Sequence, residues 1–217
     1  MKLMRRLLAQ QACGPGRLLA AVVICHFIFP HTVRAQPKPQ LQLSAEILEQ
    51  SYCSINATTS LQLKLRLRYT NLTADRLIVY SGHDLFYQTK IRSEPVAGTQ
   101  PYEILLINMR YFDEELERID AGSPGRVFVK LAPQESFERE LITGIGVADK
   151  PEARTSTSVT PGRHTLQLIV STWYQSPKLA EKLKQQWQRQ GVLWFQPVVS
   201  APVSVAIEKP ATVSPCR

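Results

Sequence analysis

The chain has 217 residues, of which 44% are hydrophobic and 20% charged, the composition of one ordinary globular domain and neither a disordered nor a fibrous one. Its formal net charge is +8, yet residues 1–35 hold five bases (Lys2, Arg5, Arg6, Arg17, Arg34) and no acid, leaving 21 bases against 18 acids beyond them. That near balance excludes the basic stripe of a nucleic-acid-binding domain, and no window past the N-terminus approaches the roughly 20 apolar residues of a membrane-spanning helix.

The N-terminus carries the succession of an export signal. Basic residues are spread over positions 2–17, Leu18 to Phe29 is an almost unbroken apolar run closed by Pro30, and Val33-Arg34-Ala35 places small or modest residues before a cut. The spacing predicts a signal peptide over 1–35, cleaved after Ala35, because about 12 apolar residues are too few to span a bilayer. Cys13 and Cys25 leave with it. The mature chain, expected to be a single domain over 36–217 with no membrane segment after cleavage, keeps Cys53 and Cys216 in an oxidising periplasmic or extracellular compartment.

Beyond the Pro-containing leader Gln36 to Gln40, apolar residues alternate at Leu41, Leu43, Ala45 and Ile47, which reads as a first strand. Leu61, Leu63, Leu65, Leu67 and Tyr69 then alternate with Gln62, Lys64, Arg66, Arg68 and Thr70. Period two with aliphatic and charged sides predicts a strand with one buried and one wet face. Further strands are predicted at Leu77 to Tyr80, Leu85 to Ile91, Tyr102 to Met109, Arg126 to Leu131, Phe137 to Ile142, Thr165 to Trp173 and Val203 to Ile207, with Gly- and Pro-bearing loops between them. Eight or nine short strands without βαβ alternation point to an all-β, immunoglobulin-like antiparallel sandwich. One insertion breaks the pattern. Ser176 to Gly191 opens Ser-Pro, ends at glycine and sets Leu179, Ala180, Leu183 and Trp187 on one stripe, which predicts a helix of about four turns docked on the sheet by a narrow face.

The run Leu67-Arg68-Tyr69-Thr70-Asn71-Leu72-Thr73, with Val79-Tyr80-Ser81-Gly82, Leu85-Phe86-Tyr87, Leu131-Ala132-Pro133-Gln134-Glu135-Ser136 and Pro161-Gly162-Arg163-His164-Thr165-Leu166, resembles bacterial immunoglobulin-like modules. Among them is the domain named for a Bacillus proteinase inhibitor. Gln134 stands where that domain usually has glycine, and the helix from Ser176 falls outside the pattern, so the resemblance implies the fold and does not carry inhibition with it.

Residues suited to chemistry are sparse. The mature chain has two histidines, His83 in a tight loop beside Asp84 and His164 at the opening of a strand, and neither sits in a nucleophile or zinc motif. No phosphate-binding glycine loop, CxxC or paired-carboxylate motif occurs, so neither catalytic residues nor a cofactor is expected. Asp113, Glu114, Glu115, Glu117 and Asp120 crowd five acids into eight residues, but without the alternating spacing and glycine of a calcium loop they read as a solvated face. Asn56 and Asn71 each head a glycosylation sequon.

The aromatic residues are concentrated around the helix. Trp173, Tyr174, Trp187, Trp194 and Phe195 include all three tryptophans; Trp187 shares the helix stripe and is expected in the core, while Trp173, Tyr174, Trp194 and Phe195 are candidates for a partner surface. The expected function is a non-enzymatic, secreted or periplasmic binding or assembly module that presents loops and the helix to a protein or glycan partner. The alternative is an extracytoplasmic proteinase inhibitor acting through an extended loop over 144–160, for which the sequence offers no bracing disulfide. Cys53 and Cys216 are expected to pair, because the first and last strands of such a sandwich run roughly parallel and bring their downstream ends to one pole.

Overall fold

The computed structural model describes residues 41–56, 58–81, 86–96, 98, 100–109, 123–173 and 176–216. Strands β1 (Leu41–Ile55) and β2 (Thr58–Asn71) form a long antiparallel hairpin. The alternation does what it predicts: Leu61, Leu63, Leu65, Leu67 and Tyr69 of β2 lie at 1% exposure or less, while Glu46, Arg66 and Glu138 form ion pairs on the opposite, wet face. β1 extends eight residues past Ile47 because a bulge between Ile47 and Glu49 shifts its register, so that Tyr52 comes opposite Leu61. An inserted residue breaks period two and hides the second half of the strand from pattern reading.

The chain continues through β3 (Leu77–Tyr80), β4 (Phe86–Ser93), β5 (Glu103–Met109), β6 (Phe128–Leu131) and β7 (Ser136–Val147). A 3-10 turn at Pro151–Ala153 leads to β8 (Ser158–Val159), β9 (Gly162–Ser171) and helix α1 (Pro177–Gln186). Four strands follow, β10 (Val192–Leu193), β11 (Val198–Val199), β12 (Val203–Ile207) and β13 (Ser214–Pro215). They make three sheets, ordered β13-β1-β2-β7-β8, β10-β3-β6 and β11-β9-β4-β5, with β12 also paired to β9. A parallel bridge from Leu43 to Ser200 joins the first sheet to the third, and all three contribute to one hydrophobic core. The architecture is all-β, with α1 the one α-helix among the described residues.

Several boundaries differ from expectation: β6 starts at Phe128 rather than Arg126 and β9 spans Gly162–Ser171 rather than Thr165 to Trp173, and two further differences alter the surface. β7 runs on to Val147, so the exposed part of the expected 144–160 loop that lies outside a strand is only 149–157. α1 is ten residues long, shorter than four turns; Ser176 Oγ caps it by accepting from Leu179 N–H. The chain then turns to Gly191, whose φ of 151° and 2.8 Å approach of a would-be Cβ to the Arg76 carbonyl exclude any side chain there. Ala180, Leu183 and Trp187 are buried, and Trp187 meets Phe128 edge to face at 5.2 Å. Burial at that density makes Trp187 the anchor of a helix too short to persist alone.

Asn71, at the end of β2, is fully buried. Its amide N–H groups donate to the Asp75, Leu131 and Ala132 carbonyls at 2.7, 3.0 and 3.1 Å, and its Oδ1 accepts from Thr73 N–H and Oγ1–H at 2.9 and 2.7 Å. One side chain thereby ties the β2–β3 turn to the end of β6. The second sequon is therefore closed to glycosylation in the folded protein, whereas Asn56 is exposed at a hairpin tip. Beside Asn71, the turn Ala132 to Glu135 places Gln134 at φ 63°, the left-handed region in which glycine is the usual occupant. Replacing Asn71 with alanine leaves these buried carbonyls without a donor and should destabilise the fold by about 3 kcal/mol. Asn71→Asp should be at least as damaging at neutral pH, because it points oxygen at oxygen, and should recover on acidification as its carboxyl gains a proton; urea unfolding measures both.

Cys53 and Cys216 form a disulfide with Cα atoms 4.8 Å apart. The pairing is the expected one but the geometry differs: Cys53 lies inside β1 rather than beyond its end, and the strand that pairs in parallel with β1 is β13 rather than β12. Cys53 lies opposite Ser214 and Ser54 opposite Pro215, with Cys216 N–H donating to the Ser54 carbonyl. A disulfide suits an oxidising, extracytoplasmic compartment. It closes a separation of 163 residues, for which chain entropy gives an upper figure of about 5 kcal/mol. The unfolded, unreduced protein should accordingly show no thiol from this pair on titration, and the Cys53→Ala/Cys216→Ala variant should unfold at markedly lower denaturant.

Candidate binding cleft

A cleft of about 690 Å³ opens where the β4–β5 turn meets the β7–β8 connection and the start of β9. Its lining is mixed: Val96, Pro101, Pro151 and Pro161 are apolar, and Glu94, Asp149, Arg154 and Arg163 are charged. The proline content follows from the position: three connections converge here, and proline stiffens each without needing a ladder donor.

Tyr102 holds the walls together. Its hydroxyl oxygen accepts from Thr160 N–H at 2.8 Å and lies 3.0 Å from both Thr160 Oγ1 and His164 Nε2. His164 Nδ1 is 3.1 Å from the Gly162 carbonyl, which can only accept, so Nδ1 carries the proton and Nε2 accepts from the Tyr102 O–H. Tyr102 N–H in turn donates to Ser93 Oγ at 2.8 Å. The Arg154 guanidinium lies over the Tyr102 ring, 4.0 Å from its centroid. Among the described residues, neither Arg154 nor Arg163 has a carboxylate within ion-pair distance, whereas Asp149 is held by Lys209 at 3.3 Å. Further bonds brace the exposed 149–157 segment: Ala148 N–H to the Val159 carbonyl, and Thr155 N–H to Ser158 Oγ. The brace that the sequence lacked as a disulfide is supplied by hydrogen bonds.

His164 is only 1% exposed. Burial pushes its pKa below the usual 6.5, against smaller opposing effects of the Gly162 hydrogen bond and the Glu94 charge. Both ring nitrogens are engaged within the protein, so the ring works as a strut behind the cleft wall.

The aromatic candidates lie elsewhere, on the flank of α1. Trp173 donates from its indole N–H to the Ser176 carbonyl at 3.3 Å, and Trp194 to the Gln196 carbonyl at 2.7 Å. The Lys184 ammonium sits 5.7 Å from the Phe195 ring centroid. All three rings are half-buried against the core, and no ring–ring contact among the described residues joins them. Tyr174, His83 and the acidic run Asp113 to Asp120 lie outside the described residues. Among the described residues no three His, Cys, Asp or Glu side chains converge as metal ligands, and no helix is long and apolar enough to cross a membrane. Sequence reasoning missed the cleft, because its residues come from three separated segments; the one available signal was the recurrence of proline at 95, 101, 151 and 161.

No protein-family model and no curated protein matches the chain. One solved structure that does match is Northeast Structural Genomics Consortium target SoR45, at 10% identity over 80% of this chain and 88% of that one, with a TM-score of 0.32.

The His164 environment has a sign that can be checked. The unfolded chain takes up a proton on this ring near pH 6.5 and the folded chain does so only at lower pH, so the neutral ring's full contribution to stability is present above that value. Stability should fall as pH drops below about 6.5 through the lower folded value. Thermal melts between about pH 7.5 and 5 should show the loss, and His164→Asn should flatten the slope across that window.

Proposed function

We propose that the chain is an exported, non-enzymatic binding module of the immunoglobulin-like sandwich type that takes an extended segment of a protein partner into the cleft beneath Arg154 and Arg163. The observation carrying this reading is a concave site with braced walls, a partly apolar lining and two guanidinium groups that, among the described residues, have no acidic partner. Preset walls lower the ordering entropy lost on binding. Arginines so placed favour a carboxylate, from an acidic side chain or a chain end, since guanidinium binds it bidentately. Arg154 covers one face of Tyr102, which closes that face to stacking on a sugar and favours a protein over a glycan. The succession before Ala35 and the disulfide support export. Trp173, Trp194 and Phe195 remain a secondary contact surface in this reading.

Proteinase inhibition is the second reading, favoured by the hydrogen-bonded brace of the 149–157 segment and opposed by the 3-10 turn at Pro151–Ala153, which departs from the extended form a protease cleft accepts. Affinity capture from the exported fraction tests the main proposal. Native protein should begin at Gln36 by intact mass and retain a protein partner, and Arg154→Glu/Arg163→Glu should lose at least tenfold in affinity with an unchanged melt. Capture that survives the double reversal, or a glycan as the sole bound species, would sink the cleft reading. Inhibition across a protease panel would transfer the assignment to the second.

A further inference from the structure

Sheet edges differ sharply in how they are closed. Among the described residues, β13 and β8, which bound the first sheet, have two residues each, and β10 and β6, which bound the second, have two and four. In the third sheet β11 has two residues, and β12 is latched to β1 by Gln50 Nε2 donating to the Ala206 carbonyl at 2.8 Å and Glu208 N–H donating to the Tyr52 hydroxyl at 2.7 Å. β5 is the exception. Among the described residues it is a seven-residue terminal strand, paired to β4 without a register shift, and it carries no proline, glycine or lysine of the kind that blunts an edge. Ile104 and Leu106 point into the core at 5% and 9% exposure, whereas Leu105 and Ile107 stand out at 49% and 58%.

We propose that β5 pairs antiparallel with β5 of a second copy of this chain, about a two-fold axis at Leu106, so that the third sheet runs through both molecules. Self-pairing fits the strand. With that axis Leu105 lies opposite Ile107 of the copy and Ile104 opposite Asn108, so each pair shares a face and the exposed apolar rows become continuous. The one charge on β5, Glu103, is neutralised by Lys90 and Arg92 at 3.1 and 3.5 Å and comes opposite Met109 of the copy, so no like charges meet. The contact is isologous and closes as a dimer rather than growing into a fibre. A seven-residue edge with two apolar side chains outside it falls below the roughly 1,200 Å² of a standard interface, which predicts a weak dimer in fast exchange.

Sedimentation velocity of the purified chain, raised from about 1 to 200 µM, should show the weight-average mass climbing toward twice that of one chain. Ile107→Lys, at an exposed position, should stay at one chain throughout with an unchanged melt. Val199→Lys alters the same sheet face in β11, at the opposite side of the sheet from β5; Val199 pairs with Ile169, which pairs with Gln88 and so with Ile107. That variant should dimerise like the parent. A parent mass that never rises, a dimer that persists in Ile107→Lys, or a dimer lost in Val199→Lys would each overturn the proposal, the last by placing the contact on the sheet face.

Discussion

The inward row of β2 is the constraint on which the remaining structure rests. Leu61, Leu63, Leu65 and Leu67 are wholly removed from water and Tyr69 nearly so, its ring stacked 4.7 Å from Phe137 of β7. Each such side chain contributes about 1.5–3 kcal/mol on burial. Because β2 is flanked by β1 and β7 over almost its whole length, this row sets the registers of both neighbours. A slip of one residue would carry Lys64, Arg66 and Arg68 into the core, which no neighbouring side chain there could offset.

Polar groups then settle what apolar burial leaves free. Burial says that β2 must end and the chain must return, but not at what angle; the Asn71 amide decides it by bonding three carbonyls, one from the β2–β3 turn and two from the end of β6 and the residue after it. At the opposite end of the hairpin the disulfide and the two-residue β13 do similar work, tying the C-terminal segment to the downstream half of β1. Between them β1 is held at both ends. The third sheet, by contrast, is attached to the first through the Leu43–Ser200 bridge, side-chain latches and the shared core.

The functional surfaces follow from that division. The cleft forms where connections from the first and third sheets converge, and Tyr102, at the foot of β5, bonds to β9 and to the segment following β8. The other side of β5 faces away from the core and presents Leu105 and Ile107. One short stretch of chain therefore braces a concave site and presents an apolar outer face, two demands that a strand meets because successive side chains point to opposite faces.

Strong local patterns are legible in the residues themselves: the alternation of β2 and β12, the short apolar run of β3, the helix stripe ending in Trp187 and the all-β class follow from residue spacing and composition, and the pairing of Cys53 with Cys216 follows once export leaves two cysteines. Two-residue strands are not legible, since β8, β10, β11 and β13 have no period to detect and exist only because a neighbouring strand offers hydrogen-bond partners. The bulge in β1 conceals half a strand for the related reason that alternation is a local signal and a bulge resets it. Aromatic clustering along the chain points to Trp173, Trp194 and Phe195, which the fold uses largely as packing, while Tyr102, Arg154 and His164, separated by up to 62 positions, meet in one site. Which faces are buried is written in the sequence, because burial depends on the alternation of side chains within a segment; which polar groups converge is decided by tertiary structure alone, because that depends on how those buried faces bring distant segments together.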